Sequence, residues 1–168
     1  NDVLITHEPT WRAKEIKRKL VEESDAYSDP ERMAELYIED RKVHTRDIIG
    51  PAVNQRGIVI GNRYALSTLV YQSIQGVSVS RLIEMHQHPD ILKPDLTILL
   101  DISPETADKR SVLRREAPEK KFEANVEFRN RVYQRYLELA ISPQCIHSFG
   151  LTQIVTANGT IEEVARDV

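Results

Sequence analysis

Between Arg63 and Gln72, in the run Arg63-Tyr64-Ala65-Leu66-Ser67-Thr68-Leu69-Val70-Tyr71-Gln72, one guanidinium precedes four hydrogen-bonding side chains at helical spacing. On a helix Ser67 and Tyr71 lie one turn apart, as do Thr68 and Gln72, so the four share adjoining parts of one face. Such a set can hold a polar anion: hydroxyls and a carboxamide bond its uncharged groups, while an arginine fork grips phosphate or carboxylate. The competing reading is structural, with Tyr71 in a core and Arg63 capping or pairing.

The elements around this run must place it. The apolar residues between Gly57 and Gly61 predict a short buried strand leading into a helix. The cluster then lies at the strand's carboxyl end, where open α/β sheets bind ligands. Asp2 to Thr6 reads as another strand, ending in the loop His7-Glu8-Pro9-Thr10. Trp11 to Glu23 reads as a helix with Trp11, Ile16 and Leu20 near one face, and Arg12 in its first turn could reach a phosphate. Ser28-Asp29-Pro30-Glu31 is a helix-start signature, and Gly50-Pro51 predicts a kink before Gly57 ends the helical run. On that helix Tyr37 and Arg41 stand one turn apart. A ring beside a guanidinium can stack a planar base and bond its edge; the alternative is an aromatic core contact beside a surface Asp40–Arg41 pair.

Further along, Val79 to Pro89 predicts a short helix, Leu96 to Leu100 a strand closed by Asp101, and Ser103-Pro104-Glu105 another helix start. Lys109, Arg110, Arg114, Arg115, Lys120 and Lys121 follow in a segment that suits either a mobile arm over phosphates or a solvated face. A helix over 124–140 has Val126, Val132, Tyr136 and Leu139 as core positions. Thr152 to Thr156 is the last strand and Thr160 to Val168 the last helix. Alternating strands and helices predict one α/β domain over 1–168, a mostly parallel sheet with helices on both faces. Four strands are legible, one fewer than such a fold carries.

A net charge of −3 over 168 residues gives no reason to expect a nucleic-acid partner. No apolar run approaches a membrane span, so no membrane is expected. Cys145 is the only cysteine, which excludes an internal disulfide and suits a reducing, cytoplasmic compartment; no Cys/His grouping has zinc spacing, and no protein metal ligand is assigned.

The ordered set Glu8-Pro9, Asp40-Arg41, Arg63-Tyr64 with Ser67-Thr68 and Tyr71-Gln72, Pro94-Asp95-Leu96-Thr97 with Leu100-Asp101, the arginine-bearing segment and Lys121-Phe122-Glu123 resembles the thymidylate kinases of the P-loop nucleoside monophosphate kinase group. The likeness runs from Val3 to Val168. It implies transfer of the ATP γ-phosphoryl group to dTMP with Mg²⁺, and a homodimer. It also implies roles: Tyr37 stacking on thymine, Arg41 at the base or phosphate end, Arg63 and Arg12 on the acceptor phosphate, and Glu8 as an acid near that site. Ser67, Thr68 and Gln72 would lie along the substrate, with Thr68 and Gln72 addressing the base and Tyr71 lying against the sugar. Arg110, Arg114 and Arg115 would belong to a lid at about 109–122 over ATP, and the loop at Ala157-Asn158 would lie near adenine.

Two departures from the pattern stand out. None of the glycines is followed by Lys-Ser or Lys-Thr, so the phosphate-cradling G-x-x-x-x-G-K-[ST] loop is absent from these residues. The expectation is that a central strand, that loop and a helix precede Asn1 in a longer chain, and that the 168 residues alone transfer phosphate poorly. A domain that binds nucleotide or a partner without turnover is the alternative to a kinase. The second departure is Asn62, where the family usually has aspartate before Arg-Tyr. The carboxamide keeps one acceptor oxygen but no negative charge, weakening a magnesium or water contact. Asn62→Asp is expected to raise turnover; an unchanged rate counts against a metal-linked role.

Overall fold

β-Branched runs and capping side chains set most element boundaries in the computed structural model, which describes residues 2–22, 28–113 and 126–168. The chain forms two compact units that divide between Lys93 and Pro94. In the first, β1 (Val3–His7) pairs in parallel with β2 (Ile58–Asn62), Val3 opposite Ile58 and His7 opposite Asn62. Between them run α1 (Lys14–Glu22), α2 (Pro30–His44) and α3 (Gly50–Asn54); α4 (Ala65–Ile74) and α5 (Val79–His86) follow β2.

Asp29 caps α2 by accepting from the Arg32 amide at 2.9 Å, with Pro30 at the first helical position. The expected kink at Gly50-Pro51 takes a specific form. Residues Thr45–Ile49 make a π-helical turn in which the Gly50 amide bonds the Thr45 carbonyl five residues back. Pro51 has no N–H to continue the α pattern, so the widened turn absorbs the defect. The core of this unit is Ile16, Met33 and Leu36, with Leu69, Val70 and Leu82 fully buried where α2, α4 and α5 meet.

In the second unit β3 (Leu96–Asp101) pairs in parallel with β4 (Leu151–Thr156), Leu96 opposite Leu151 and Asp101 opposite Thr156. Its helices are α6 (Pro104–Leu113), α7 (Val126–Ala140), α8 (Pro143–Phe149) and α9 (Ile161–Asp167). A capping box between Thr160 and Glu163 opens α9. Leu139, Ala140, Cys145 and Val155 are buried.

The expected α/β class with a mostly parallel sheet is present, its described strands pairing in parallel as two two-stranded sheets. Other expectations need correction. Ile58 and Ile60 are not buried but 50% and 54% exposed: they share one face of the strand, since successive side chains point to opposite faces, and that face is left uncovered by the described residues. Helix α1 starts at Lys14, not Trp11: the Ala13 amide turns back to the Thr10 carbonyl, and Trp11 is left exposed. Val126 is also exposed rather than in a core. Arg114, Arg115, Lys120, Lys121 and most of the segment 109–122 lie outside the described residues. Among those described, no helix is long and apolar enough to cross a membrane.

Candidate active site

Glu8 follows directly on β1, its amide bonded to the Asn62 carbonyl at the end of β2. This fixes its carboxylate against α2. Arg41 donates to Glu8 Oε2 from Nε at 2.9 Å and from Nη2 at 2.6 Å, and the two side chains are 1% and 3% exposed. Arg41 Nη2 also donates to Thr68 Oγ1 on α4 at 3.2 Å, and Nη1 to His86 Nε2 at the end of α5 at 2.5 Å. The Tyr64 ring covers one face of the guanidinium, 4.5 Å from Arg41 Cζ. His44 joins the carboxylate from the next turn of α2, with Nδ1 3.0 Å from Glu8 Oε1 and Nε2 2.8 Å from Thr6 Oγ1.

This arrangement ties together two strand ends and three helices through one ion pair. In it Nε, both hydrogens of Nη2 and one of Nη1 are engaged. The second Nη1 hydrogen has no partner among the described residues. Asp40 is held separately, accepting from the Thr10 amide at 2.7 Å and the Thr10 hydroxyl at 2.5 Å. The surface Asp40–Arg41 pair is thereby excluded: each is buried with its own partner.

Arg63 immediately follows β2 with a φ of 65°, a left-handed conformation uncommon for a side chain of its size. Its Cζ lies 5.5 Å from the centre of the Tyr71 ring, and Nη1 reaches the Tyr71 hydroxyl at 3.5 Å. Tyr37 is half-buried against Ile16, Met33 and Leu36, so its core contact is real. Burial pushes its phenol up to about 12; Arg63 and Arg41 oppose the shift, Tyr71 and Asp40 add to it, and all four lie within electrostatic reach. Gln72 is wholly buried, and neither its Oε1 nor its Nε2 has a partner among the described residues. Ser67 is half-buried on the same helix.

The predicted residues Glu8, Tyr37, Arg41, Arg63, Thr68 and Tyr71 thus form a connected set, with Ser67 and Gln72 on the helix that carries two of them. Arg12 points elsewhere: it stacks on Trp11 and pairs with Asp47 at 2.5 Å. In the second unit Arg110 donates to the Gly159 carbonyl at 2.5 Å, Asn158 Oδ1 accepts from the Ser103 amide at 3.0 Å, and the buried Ala157 bonds Asp101 through its amide. Tyr133 donates to Asp101 Oδ1 at 3.0 Å, and that bond raises its phenol pKa. Sequence reasoning missed Thr6, His44 and His86 as members of the network, and had Tyr64 only as the second residue of the Arg63-Tyr64 motif. Of the three, only His44 carried a local signal, three residues after Arg41 on the same helix.

Parallel strands joined by crossover helices, with Arg41 and Arg63 brought near the ends of β1 and β2, fit the class of phosphotransferases of the P-loop nucleoside monophosphate kinase type. The sequence pattern of the family described as Thymidylate kinase matches residues 1–168. A probable thymidylate kinase of Staphylothermus marinus is 36% identical over 170 residues, covering 99% of this chain and 77% of that protein. One from Pyrococcus horikoshii is 34% identical over 172 residues, covering 99% and 79%. A thymidylate kinase of Nitratidesulfovibrio vulgaris is 33% identical over 178 residues, covering 99% and 76%. The chain belongs to the thymidylate kinase family.

Glu8→Gln leaves the Arg41 guanidinium buried without its counter-charge, and denaturant unfolding is expected to register a loss of about 3–5 kcal/mol. The pH dependence of stability should also carry a mark of His86. Burial, with Arg41 beside it, pushes its imidazolium pKa from 6.5 down to about 3. The folded chain therefore keeps the ring neutral, while the unfolded chain takes up a proton below its ordinary pKa. This group's contribution is complete above pH 6.5 and is lost as pH falls from there towards 3. Moving from pH 7.5 to 5.0 is expected to cost about 2 kcal/mol through this group, an increment absent from His86→Gln. Equal pH slopes in the two proteins would contradict the assignment.

Proposed function

We propose that the connected set in the first unit binds the acceptor dTMP, and that the second unit contributes contacts to ATP, for transfer of the γ-phosphoryl group to give dTDP and ADP. The observation that carries the base assignment is the buried Gln72 carboxamide, unpartnered at both ends one turn along α4 from Thr68. An unpartnered buried amide costs roughly 1–3 kcal/mol, which a ligand offering one donor and one acceptor removes. A pyrimidine with a ring N–H beside a carbonyl presents that pair. Arg41 supports the same reading: a guanidinium only donates, so its remaining Nη1 hydrogen matches a carbonyl and not an amino group.

The other residues divide the work by chemistry. Tyr37 supplies a flat neutral ring for stacking, Tyr71 a hydroxyl and ring for the sugar, and Arg63 a strand-end cation for the 5′-phosphate, with Arg12 joining if it leaves Asp47. Ser67 lies along the substrate, and Glu8 near the acceptor site acts by holding Arg41. In the second unit Arg110, Ala157 and Asn158 are the residues proposed to contact the adenine and phosphates of ATP. The reaction needs no side-chain nucleophile, because the dTMP phosphate oxygen attacks in line while cations neutralise charge on the transferred group. Among the described residues no group of three or more His, Cys, Asp or Glu could hold a metal ion. In this reading Mg²⁺ is carried by phosphate oxygens and water, where it neutralises charge between the nucleotides. A single catalytic domain, a cytoplasmic setting and a homodimer belong to the same reading.

Titration calorimetry with dTMP, dUMP, UMP, dCMP and CMP, alongside ADP release with ATP and Mg²⁺, tests it. dTMP is expected to bind most tightly and dCMP at least about tenfold more weakly. Arg63→Met is expected to weaken dTMP by about 10- to 100-fold, the loss of charge-assisted bonds. Equal affinity for dTMP and dCMP would falsify the base assignment.

A further inference from the structure

His86 lies at the last turn of α5, outside every motif of the family pattern considered above, and is 6% exposed. Two hydrogen bonds determine its tautomer. Nε2 faces Arg41 Nη1 at 2.5 Å, and Nδ1 faces the Leu82 carbonyl oxygen at 2.6 Å. A guanidinium can only donate and a carbonyl can only accept, so Nε2 carries the lone pair and Nδ1 the proton. The depressed basicity of the ring agrees with this state.

The position of this acceptor has a geometric consequence. Glu8 holds the guanidinium through Nε and Nη2, and Thr68 takes the other Nη2 hydrogen. Nothing in those contacts engages Nη1. The guanidinium is rigid and planar, and Glu8 takes both of its donors on one oxygen, Oε2, so the group can still pivot about that contact; a bond to Nη1 stops the pivot and with it sets the direction of the second Nη1 hydrogen. His86 thus aims the one Arg41 donor that has no partner among the described residues. A carboxylate there would add a second negative charge beside Glu8, whereas a neutral ring accepts without doing so.

We infer that His86 is a specificity-determining positioning residue: a neutral acceptor on α5 that turns the last Arg41 N–H towards the exocyclic oxygen of the base, favouring a pyrimidine with a carbonyl there over one with an amino group. The inference rests on the assignment of this pocket to the base. It adds α5, which carries no predicted substrate residue, to the elements that set base choice.

The test compares the full chain with His86→Phe, His86→Asn and His86→Gln, measuring dTMP and dCMP affinity by calorimetry and melting temperature for each. Phenylalanine removes the acceptor, asparagine reaches only the place of Nδ1, and glutamine puts an oxygen where Nε2 stands. His86→Phe and His86→Asn are expected to weaken dTMP about tenfold with dCMP changed less than about twofold, collapsing the preference. His86→Gln is expected to restore the preference to within about threefold of the parent. Parallel losses for both nucleotides, or a glutamine variant that folds but discriminates as poorly as asparagine, overturn the proposal. Should His86→Phe not fold, the asparagine and glutamine pair decides. A parent that does not prefer dTMP refutes the base assignment itself, and the orienting role is then read from nitrogen-15 spectra of the nucleotide-free chain. Arg41 Nη1 hydrogens that are distinct in the parent and glutamine variant but averaged in the asparagine variant uphold that role; identical spectra refute it.

Discussion

The Glu8–Arg41 ion pair is the constraint on which the first unit depends. It joins the end of β1 to the last turn of α2 with both charges removed from water. Taking two such ions into a protein interior costs several kcal/mol each, and their attraction recovers this only when the remaining donors and lone pairs are bonded. Here all but one guanidinium hydrogen have partners among the described residues: His44 takes the second carboxylate oxygen, while Thr68 and His86 take guanidinium hydrogens. An apolar pair of similar volume could hold β1 and α2 together as well. The charged pair adds a guanidinium fixed on several sides with one donor remaining, which is what recognition of a small polar ligand needs.

That constraint explains the division between order and function in the helices. Helix α4 contributes Leu69 and Val70 to the core on one side and Thr68, Tyr71 and Gln72 to the site on the other. Helix α2 carries Tyr37 and Arg41 beside Met33 and Leu36, with Tyr37 packed directly against that core cluster. Side chains that bind are therefore seated on elements anchored by packed neighbours. The second unit repeats the logic on a smaller scale. Ala157 is drawn to the Asp101 carbonyl where β3 and β4 end, and Asn158 closes on the Ser103 amide at the start of α6.

Much of this was legible from residue order. Local chemistry announces itself locally: Asp29-Pro30 starts α2, Thr160 with Glu163 starts α9, and apolar runs mark all four strands. The shared face of Thr68 and Gln72 follows from helical spacing alone. What could not be read depends on partners far along the chain. Nothing near Asp40 tells that it will bond Thr10 rather than Arg41, since that choice is made by the packing of α2 on the loop after β1. The same holds for His86, one histidine at a helix end with its partner forty-five residues away. Exposure of Ile58 and Ile60 was missed because a run of β-branched residues reports strand propensity and not which face will be covered. Helix α8 escaped because Pro143 to Phe149 is too short to show a period.

Arg63 holds a backbone conformation that an L-residue adopts only at an energetic disadvantage, in the place where a cation is most useful. Glycine would relax the chain there and remove the charge; a β-branched residue would increase the strain and supply no charge either. Robustness and ligand grip therefore pull in opposite directions at a single position. Variants selected only for thermal endurance would tend to drift towards glycine there, gaining a sturdier but blunter protein.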